Sequence, residues 1–443
     1  MFKIIVINGG FILLITICIT ICLLIIISAL FYPEMKIGKA KIETFWAIAL
    51  IGAILLISLG FIKPKTVLES FFSNTSVNPI KILILFISMT GLSVFLDEIG
   101  FFNYLAQIAL KNANTSQKML FVYLYFTVSF LTIFTSNDII ILTLTPFICY
   151  FCKKADISPI PYLVAEFVAA NTWSMTLIIG NPTNIYIATS FGIDFLKYIK
   201  IMLLPTIFAG LVSYLILRII FNNALQQSIT HKYDITKIKN KPLLITGLIH
   251  LSLCTIILAV SSYIGLEMWL ISLLFFISLI ISVIIICRIQ KKPNTELNTT
   301  IKRLPWNLIP FVLSMFVLVI ALSENGITEY LCTLIDGKYT ELRFGLASYL
   351  SANIINNIPM SVLFVFIIQS LDTTKQLSAV FTSIIGSNIG AYLTPIGALA
   401  GIMWTSILKK LDVKFSLFDF IKYGIIVSVP TIITAIGILM LII

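Results

Sequence analysis

The chain has 443 residues, of which 59% are hydrophobic and 11% are charged. A soluble domain has about 25% charged residues, so this chain has too few charges to cover a water-facing surface and is an integral membrane protein. Its formal charge of +11 does not indicate nucleic-acid binding, because the basic residues lie in short loops between apolar runs, as the positive-inside rule requires.

Apolar runs of roughly 17–25 residues recur from end to end, and each is long enough to cross the hydrocarbon core as a helix. The runs are continuous and do not alternate with polar residues, which excludes an outer-membrane barrel. We therefore expect an all-α, polytopic fold with about ten transmembrane helices. The predicted crossings are Ile4–Leu30, Phe45–Ile62, Ile80–Leu96, Pro161–Phe191, Ile199–Ile220, Leu243–Tyr263, Met268–Ile286, Trp306–Leu322, Leu377–Leu408 and Phe420–Ile442.

Two further apolar stretches, Leu120–Phe151 and Leu346–Leu371, are interrupted in the middle by polar residues. We predict that both are re-entrant hairpins, since irregular backbone at membrane depth is tolerated only where protein or water surrounds it. If both hairpins return to the side from which they came, 21 of the 30 Lys and Arg residues lie on one side. The positive-inside rule makes that side the cytoplasm and places both termini outside it.

The chain also contains an internal repeat, which three alignments in the same order indicate. In the predicted topology the two repeats are inverted, as in secondary transporters that bind their solute near the midplane. We expect N-terminal helices in 1–79, a first repeat in 80–222, a linker with two helices in 223–305 and a second repeat in 306–443. The alignments are DEIGFFNYLA (Asp97–Ala106) on SENGITEYLC (Ser323–Cys332), SFLTIFTSND (Ser129–Asp138) on SYLSANIINN (Ser348–Asn357), and NTWSMTLIIG (Asn171–Gly180) on NIGAYLTPIG (Asn388–Gly397).

Four polar breaks lie at equivalent places in the two repeats, two at the hairpin tips and two in the broken spans. Gly and Pro loosen the helix and expose carbonyl groups and half-helix N-termini, while Asn, Ser and Thr offer donors and acceptors. Such breaks can bind a small oxyanion or hydroxylated solute, whereas helix kinks with Asn caps are the purely structural interpretation. The breaks are Thr135–Asp138, Asn171–Asn184, Asn353–Pro359 and Ser387–Gly397.

Two acids in the first repeat are candidates for coupling transport to a proton or cation. Asp138 is the only acid at the centre of a hairpin, and its repeat partner is the neutral Asn357. A carboxylate at membrane depth is costly, and it therefore indicates a proton carrier or cation ligand. Glu166 lies early in a broken span, where it is either a second proton site or an interfacial side chain.

Enzyme motifs are missing from the sequence. It has no HExxH, no GxSxG and no glycine-rich phosphate loop followed by Lys, so we expect neither an enzyme nor a cofactor or metal site. The CxxC pair Cys149 and Cys152 and the histidine within a span, His250, are expected to pack structurally, and His231 lies in a basic loop. A channel remains the alternative to a carrier, because re-entrant hairpins also form pores.

At these residues the chain resembles the ion-transporter superfamily that includes arsenite permeases, dicarboxylate/sodium symporters and certain sodium/proton antiporters. It is most similar to the arsenical-pump membrane proteins, although NPTN at 181–184 is closer to the symporter branch. The motifs that carry the resemblance are SNDIIILTLTPFI (Ser136–Ile148), AANTWSMTLIIGNPTNIYIA (Ala169–Ala188), RLPWNLIPFVLSMFVLVIALSENGITEYL (Arg303–Leu331), INNIPMSVL (Ile355–Leu363) and IGSNIGAYLTPIGALAGIMWTSIL (Ile385–Leu408).

The resemblance implies a multi-pass transporter of the bacterial plasma membrane with a small inorganic oxyacid or anion as its solute. Arsenite/antimonite efflux by proton antiport is the expected activity, and a sodium-coupled dicarboxylate symporter or sodium/proton antiporter is the alternative. A soluble ATPase subunit and a homodimer are compatible partners. By position in the family's motifs, Asp138 is the expected coupling residue, and Thr172 is added as a further binding residue. The other residues expected to line the solute site are Asn137, Asn171, Gly180, Asn184, Asn356, Asn357, Asn388, Thr394 and Gly397.

Overall fold

The computed structural model of the chain describes residues 9–32, 34–37, 40–73, 78–113, 116–226, 229, 238 and 240–443. His231 and the first residues of the first predicted span lie outside these described residues. The helices are α1 Gly9–Phe31, α2 Thr44–Ser58, α3 Pro64–Phe72, α4 Pro79–Glu98, α5 Phe101–Ala113, α6 Gln117–Phe134, α7 Asn137–Ala155, α8 Ile160–Trp173, α9 Pro182–Ser190, α10 Phe195–Ile220, α11 Lys241–Ala259, α12 Ser261–Ile264, α13 Met268–Ile289, α14 Thr295–Arg303, α15 Leu308–Glu324, α16 Ile327–Ile335, α17 Thr340–Ile355, α18 Asn357–Gln369, α19 Thr373–Gly390, α20 Leu399–Lys410 and α21 Leu417–Leu439.

The expectation of an all-α, polytopic membrane protein is confirmed. Eight helical segments of the described residues are long and apolar enough to cross a membrane. Three of the ten predicted crossings are not among these segments. The crossing formed by α2 is shorter than they are, and the crossings formed by α8 with α9 and by α19 with α20 are interrupted. Each interruption contains a single 3₁₀ turn, Ile178–Gly180 in the first case and Pro395–Gly397 in the second.

Local sequence explains where the helices begin. Asn78 accepts hydrogen bonds from the backbone N–H groups of Ile80 and Lys81, and Pro79 occupies the first helical position of α4. Ser416 and Asp419 form a reciprocal capping box at the start of α21. These caps satisfy the N–H groups that the first turn of a helix leaves without partners.

The two repeats contain the same elements in the same order. Helices α4 to α10 and helices α15 to α21 each consist of a long helix, a short helix, a helical hairpin, a broken helix with one 3₁₀ turn, and a final long helix. In each half a short helix follows the first long helix, α5 in the first and α16 in the second. The repeat alignment does not predict these two helices. The linker between the repeats contains α11 to α14.

Both hairpins return to the side from which they start. In the first, Gln117 at the start of α6 accepts a hydrogen bond from Tyr162 at the start of α8, and α7 ends only five residues before α8 begins. In the second, Thr340 at the start of α17 bonds to Asp336, and Asp336 pairs with Lys375 at the start of α19. The ends of each hairpin therefore lie at the same end of the neighbouring broken helix.

The broken helices form the centre of the molecule. Every residue of α8 from Pro161 to Thr172 is buried, and so is every residue of α19 from Ser378 to Gly390. Outer helices such as α11 and α13 instead leave large apolar side chains exposed, among them Ile256 and Ile281. The burial pattern places the polar breaks inside protein and the apolar faces of the outer helices toward lipid.

Several features of the structure were not predicted. Strands β1 (Glu34–Ile37) and β2 (Ala40–Glu43) form an antiparallel pair between α1 and α2. The short helices α3, α5, α12, α14 and α16 lie between the spans. They are too short to cross a membrane, so a search for long apolar runs does not detect them.

Candidate functional site

The first hairpin tip contacts the first broken helix through a pair of asparagines. Thr135 and Ser136 are extended and separate α6 from α7, so Asn137 stands at the first position of α7. Its Nδ2 donates to Oδ1 of Asn171 at 2.9 Å, and Asn171 Nδ2 donates to the Phe167 carbonyl at 2.8 Å. Both side chains are buried, so the pair fixes the tip against α8.

Asp138 is partly buried in the first turn of α7. The positive end of the helix dipole favours a carboxylate at this position. Within the described ranges, neither a hydrogen bond nor an ion pair engages its carboxylate. Asp138 therefore remains free to bind a proton, a cation or a solute hydroxyl group.

The first unwound stretch folds back on itself after α8. Ser174 donates from Oγ to the Asn171 carbonyl at 2.8 Å, and Asn184 donates from Nδ2 to the Ser174 carbonyl at 2.9 Å. Gly180 is required here because a Cβ at its position would collide with that same carbonyl oxygen. The unwinding thus places the side chains of α9 beside the end of α8.

Asn388 of the second repeat completes this arrangement. Its Nδ2 donates to Asn184 Oδ1 at 2.7 Å and to the Ile384 carbonyl at 2.8 Å. Its Oδ1 accepts from Asn181 Nδ2 at 2.9 Å and lies 3.0 Å from Ser174 Oγ, whose one hydroxyl proton is shared between this oxygen and the Asn171 carbonyl. One side chain of α19 therefore binds three residues of the first repeat.

A hydroxyl pair adds a second contact next to Asn388, where Ser387 Oγ donates to Thr183 Oγ1 at 3.1 Å. We name this set of buried, neutral side chains the cross-repeat cluster. Thr172 makes a further contact between the repeats by donating to the Tyr392 hydroxyl at 3.3 Å. The cross-repeat cluster consists of Ser174, Asn181, Thr183, Asn184, Ser387 and Asn388.

The second hairpin tip packs against its own unwound stretch. Asn356 adopts a left-handed backbone conformation with φ of 70°, and its Nδ2 donates to the Ile396 carbonyl at 3.0 Å. Thr394 donates from both its backbone N and its Oγ1 to Asn353 Oδ1, at 3.0 and 2.7 Å. A Cβ at Gly397 would collide with the Gly390 carbonyl oxygen and with Asn353. These contacts are the second repeat's counterpart of the Asn137–Asn171 contact.

Asn357, the repeat partner of Asp138, is 3% exposed, and its Oδ1 has no hydrogen-bond partner in the part of the chain that the structure describes. A buried amide oxygen without a partner is unfavourable, so it calls for a ligand or water. Asp138 and Asn357 each lie in the first turn of the second helix of a hairpin. Each offers an oxygen acceptor without a partner among the described residues, a carboxylate in the first repeat and an amide in the second.

Glu166 is fully buried in the protein interior. Its carboxylate oxygens accept from Thr145 Oγ1 of α7 at 3.1 and 3.0 Å. His250, in contrast, is hydrogen-bonded to Thr246 and Ser278 on the outer helices α11 and α13, away from the breaks.

The breaks form two groups of contacts. The first hairpin tip, the first unwound stretch and Asn388 form one group, whereas Asn356, Thr394 and Gly397 lie in the other. The contacts break the repeat symmetry, because Asn388 bonds to the opposite repeat while its counterpart Asn171 bonds to its own hairpin tip. Six residues of these contacts were not predicted from the sequence as site residues, although all six lie within the predicted breaks. They are Ser174, Asn181, Thr183, Asn353, Ser387 and Tyr392.

The chemistry of the site is neutral apart from its two acids. All of its hydrogen-bonding partners among the described residues are amides, hydroxyl groups or backbone atoms, and the carboxylates of Asp138 and Glu166 are the exceptions. Groups of three or more His, Cys, Asp or Glu side chains suited to a metal ion are absent from the described part of the chain. The arrangement is suited to binding a small solute by hydrogen bonds.

Comparisons with known proteins agree with this architecture. The model of the citrate transporter family matches residues 22–386. The arsenical pump membrane protein of Escherichia coli K12 is 26% identical over 407 residues, covering 86% of this chain and 90% of the relative. A putative arsenical pump membrane protein of Bacillus subtilis strain 168 is 24% identical over 430 residues, covering 90% and 93%.

The crystal structure of the Alcanivorax borkumensis YdaH transporter has the same fold, with a TM-score of 0.55 at 15% identity over 97% of each chain. The family match spans well over half of this chain. The chain therefore belongs to the citrate transporter family, in the ion-transporter superfamily that also includes the arsenite permeases, and is a multi-pass transporter of the plasma membrane.

Proposed function

We propose that the transporter exports arsenite and antimonite in exchange for protons through an alternating-access site between the two repeats. One observation carries the proposal: the cross-repeat cluster is made only of neutral amides and hydroxyl groups. Arsenous acid is neutral at physiological pH, and each of its three hydroxyl groups both donates and accepts hydrogen bonds. A site of amides and hydroxyl groups matches that solute without needing a cationic side chain.

The free acceptors at the hairpin tips support the same proposal. Asp138 and Asn357 Oδ1 are available to accept hydrogen bonds from a hydroxylated solute. Two relatives whose names describe arsenical pumps align over more than four-fifths of this chain, which also favours arsenite.

Asp138 is the proposed proton carrier. An antiporter needs a group that binds a proton on one side of the membrane and releases it on the other, and the solute must compete with that proton. Asp138 lies next to Asn137 at the tip of a hairpin and has no fixed partner, so its protonation is free to change between access states.

A sodium-coupled carboxylate symporter is the second candidate, and the match to the citrate transporter family favours it. Four helices begin at the breaks, namely α7, α9, α18 and α20, and helix N-termini bind carboxylates without Arg or Lys. In that mechanism Asp138 would stay ionised as a sodium ligand.

Uptake into everted membrane vesicles tests the proposal. Arsenite, antimonite, citrate and succinate are compared under an imposed proton gradient with the vesicle interior acidic, with and without sodium. We expect arsenite and antimonite to accumulate when the interior is acidic, independently of sodium. Sodium-dependent uptake of citrate or succinate without arsenite accumulation would replace the proposal with the symporter.

The Asp138→Asn variant separates coupling from binding. It is expected to abolish proton-driven arsenite accumulation and to leave arsenite exchange at equal concentrations partly intact. Asp156→Asn is the matched control, because Asp156 is exposed at the end of the same helix and has a left-handed conformation that Asn tolerates. Loss of exchange together with accumulation in Asp138→Asn alone would make Asp138 a solute ligand rather than the proton carrier.

A further inference from the structure

Glu166 is a second acid buried near the solute site. It precedes Asn171 on α8 by five residues, or about 7 Å along the helix axis. Its side chain is fully buried, and no ion pair is formed with it among the described residues. An isolated ionised carboxylate in such a place is expensive, so Glu166 is expected to hold a proton unless its surroundings open.

Polar side chains of α7 and α20 lie beside this carboxyl group. Thr145 Oγ1 of α7 lies within hydrogen-bond distance of both of its oxygens, and the indole of Trp404, on α20 of the second repeat, is a further polar group beside it. Trp404 Nε1 is buried and makes no conventional hydrogen bond with any described residue. The Cys149 thiol, one turn beyond Thr145 on α7, is a titratable side chain close to Glu166. The carboxyl group thus lies where the first hairpin, α8 and α20 meet.

The repeat partner of Glu166 is not an acid. By the alignment of Asn171 on Asn388, Ser383 occupies the equivalent position on α19, and its buried Oγ also has no partner. Both acids of the site, Asp138 and Glu166, therefore belong to the first repeat, where the second repeat has Asn357 and Ser383.

An aromatic cluster covers Trp404 toward the start of α21. The Trp404 ring lies 5.1 Å from Phe167, 5.2 Å from Phe415 and 5.6 Å from Phe420, measured between ring centroids. The same side chains line a small cavity of about 20 Å³ together with Tyr392 and others. In the predicted topology the ends of α20 and α21 that meet here face the cytoplasm, so these rings separate Glu166 from that side.

We propose that Glu166 is a second protonation site of the transport cycle, positioned by Thr145 and Trp404 and closed off from the cytoplasm by the aromatic cluster. The protonated carboxyl group holds α7, α8 and α20 together in the state described here. When the aromatic rings separate, water reaches the carboxyl group, which releases its proton and loosens the contact of the first hairpin with the second repeat. The inference rests on the proposed proton coupling.

Trp404 fluorescence tests this inference without transport. In a variant whose other tryptophans (Trp46, Trp173, Trp269 and Trp306) are replaced by Phe, emission of the purified protein is titrated with pH. We expect one transition, because the carboxyl group next to the indole changes its emission when it gains or loses a proton. Glu166→Gln should remove the transition and Thr145→Val should shift its midpoint, while Asp138→Asn should leave it in place.

Transport in everted vesicles gives an independent test. Glu166→Gln is expected to reduce proton-driven arsenite accumulation at least tenfold while equilibrium exchange remains, and Glu166→Asp should restore part of the accumulation. Glu324→Gln, at an exposed position at the end of α15, is the matched control. If Glu166→Gln does not insert into the membrane, the midpoint of the Trp404 fluorescence transition in Thr145→Val decides whether Glu166 titrates.

The outcomes separate the two proposals. If the wild-type protein does not move arsenite, the proposed function fails, and the fluorescence titration still decides whether Glu166 titrates. A transition that persists in Glu166→Gln, an unshifted midpoint in Thr145→Val, or accumulation by Glu166→Gln at the wild-type rate would overturn the inference.

Discussion

Asn388 uses its whole amide within the site, because two donors and two acceptor positions all have partners. Residues of this type are conspicuous in a sequence, since Asn in an apolar run needs a partner. The presence of Asn137, Asn171, Asn184 and Asn388 in buried hydrogen-bond networks was therefore predictable. The hydrogen-bond partners of these asparagines were not predictable, because they depend on the rotation of each helix about its axis and on the bend at its break.

Ser174 and Asn353 illustrate that limit. Both lie in predicted breaks, yet only the folded chain shows that Ser174 bonds across to Asn388 and that Asn353 fixes Thr394. The burial of Glu166 was equally undecided in the sequence, because its position early in a span is compatible with the interface or the interior. Contact with Thr145 of the hairpin settles its burial.

Outside the spans, Asp336 gives a prediction about stability. Its carboxylate accepts from Lys375 Nζ at 2.8 Å and from Thr340 Oγ1 at 3.0 Å. The hydrogen bond from Lys375 holds the pKa of the Asp336 carboxyl group below its usual range. The ionised form therefore stabilises the fold above the ordinary Asp pKa, and this stabilisation is lost as the pH falls through the lowered value.

We expect Asp336→Asn to melt at a lower temperature than the wild type at pH 7, and the difference to shrink as the pH falls below the ordinary Asp pKa and the Asp336 carboxyl group becomes protonated. Thermal melting of the detergent-solubilised protein across this pH range measures it. Asp372→Asn is the control, since Asp372 caps α19 and Asn caps a helix equally well. A difference that is the same at all pH values would contradict this account of the Asp336–Lys375 pair.

At the scale of elements, close packing between α17 and α19 sets the shape of the second repeat. A Cβ at Gly386 would collide with the Gly345 carbonyl oxygen and with Ser348 Oγ. Small residues let transmembrane helices approach this closely, and they are typical of membrane helix interfaces. The hairpin therefore depends on a glycine that the sequence places in an otherwise ordinary stretch of α19.

Gly386→Ala should destabilise the protein by about 1–3 kcal/mol, the usual cost of overpacking, because backbone atoms have to shift. Gly437→Ala is the matched control, since nothing lies within 4 Å of a Cβ on this glycine of α21. Melting curves of both variants as fluorescent fusions compare them. Equal melting temperatures for the two variants would show that α17 and α19 do not pack as closely as described.

The hairpins and broken helices were predictable because Pro, Gly and short polar residues interrupt runs that are otherwise apolar. The β1–β2 pair and the short helices were not, because they lie in connections whose composition resembles that of ordinary loops. Among the short helices, α5 and α16 are recognised as counterparts only when the two repeats of the folded chain are compared element by element.

At the scale of the whole molecule, contacts distant in sequence agree with the topology derived from charge. Lys81 pairs with Glu267, and Asn325 bonds to the Phe61 carbonyl, all at ends predicted to lie outside. Arg303 bonds to Asp97 and Glu98 at ends predicted to lie inside. Each of these contacts joins residues that the positive-inside rule had already placed on one side.

Cysteine labelling checks the topology. We expect Lys338→Cys to react with an impermeant thiol reagent in intact cells and Asn298→Cys to react only after permeabilisation, in a background without native cysteines. Both positions are exposed in the structure. Labelling of position 298 but not 338 in intact cells would reverse the topology. Labelling of both would place the two loops on the same side and remove the inversion of the repeats.

The central claim is that the cross-repeat cluster is the solute site, and the most direct test is arsenite accumulation in everted vesicles by Asn388→Ala. Its control is Asn325→Ala, which removes two hydrogen bonds at an exposed position just after α15, whereas Asn388→Ala removes four. Per inserted protein, we expect Asn388→Ala to lose about tenfold or more, equivalent to about 1.4 kcal/mol, and Asn325→Ala to match the wild type. Accumulation by Asn388→Ala at the wild-type rate would contradict the claim.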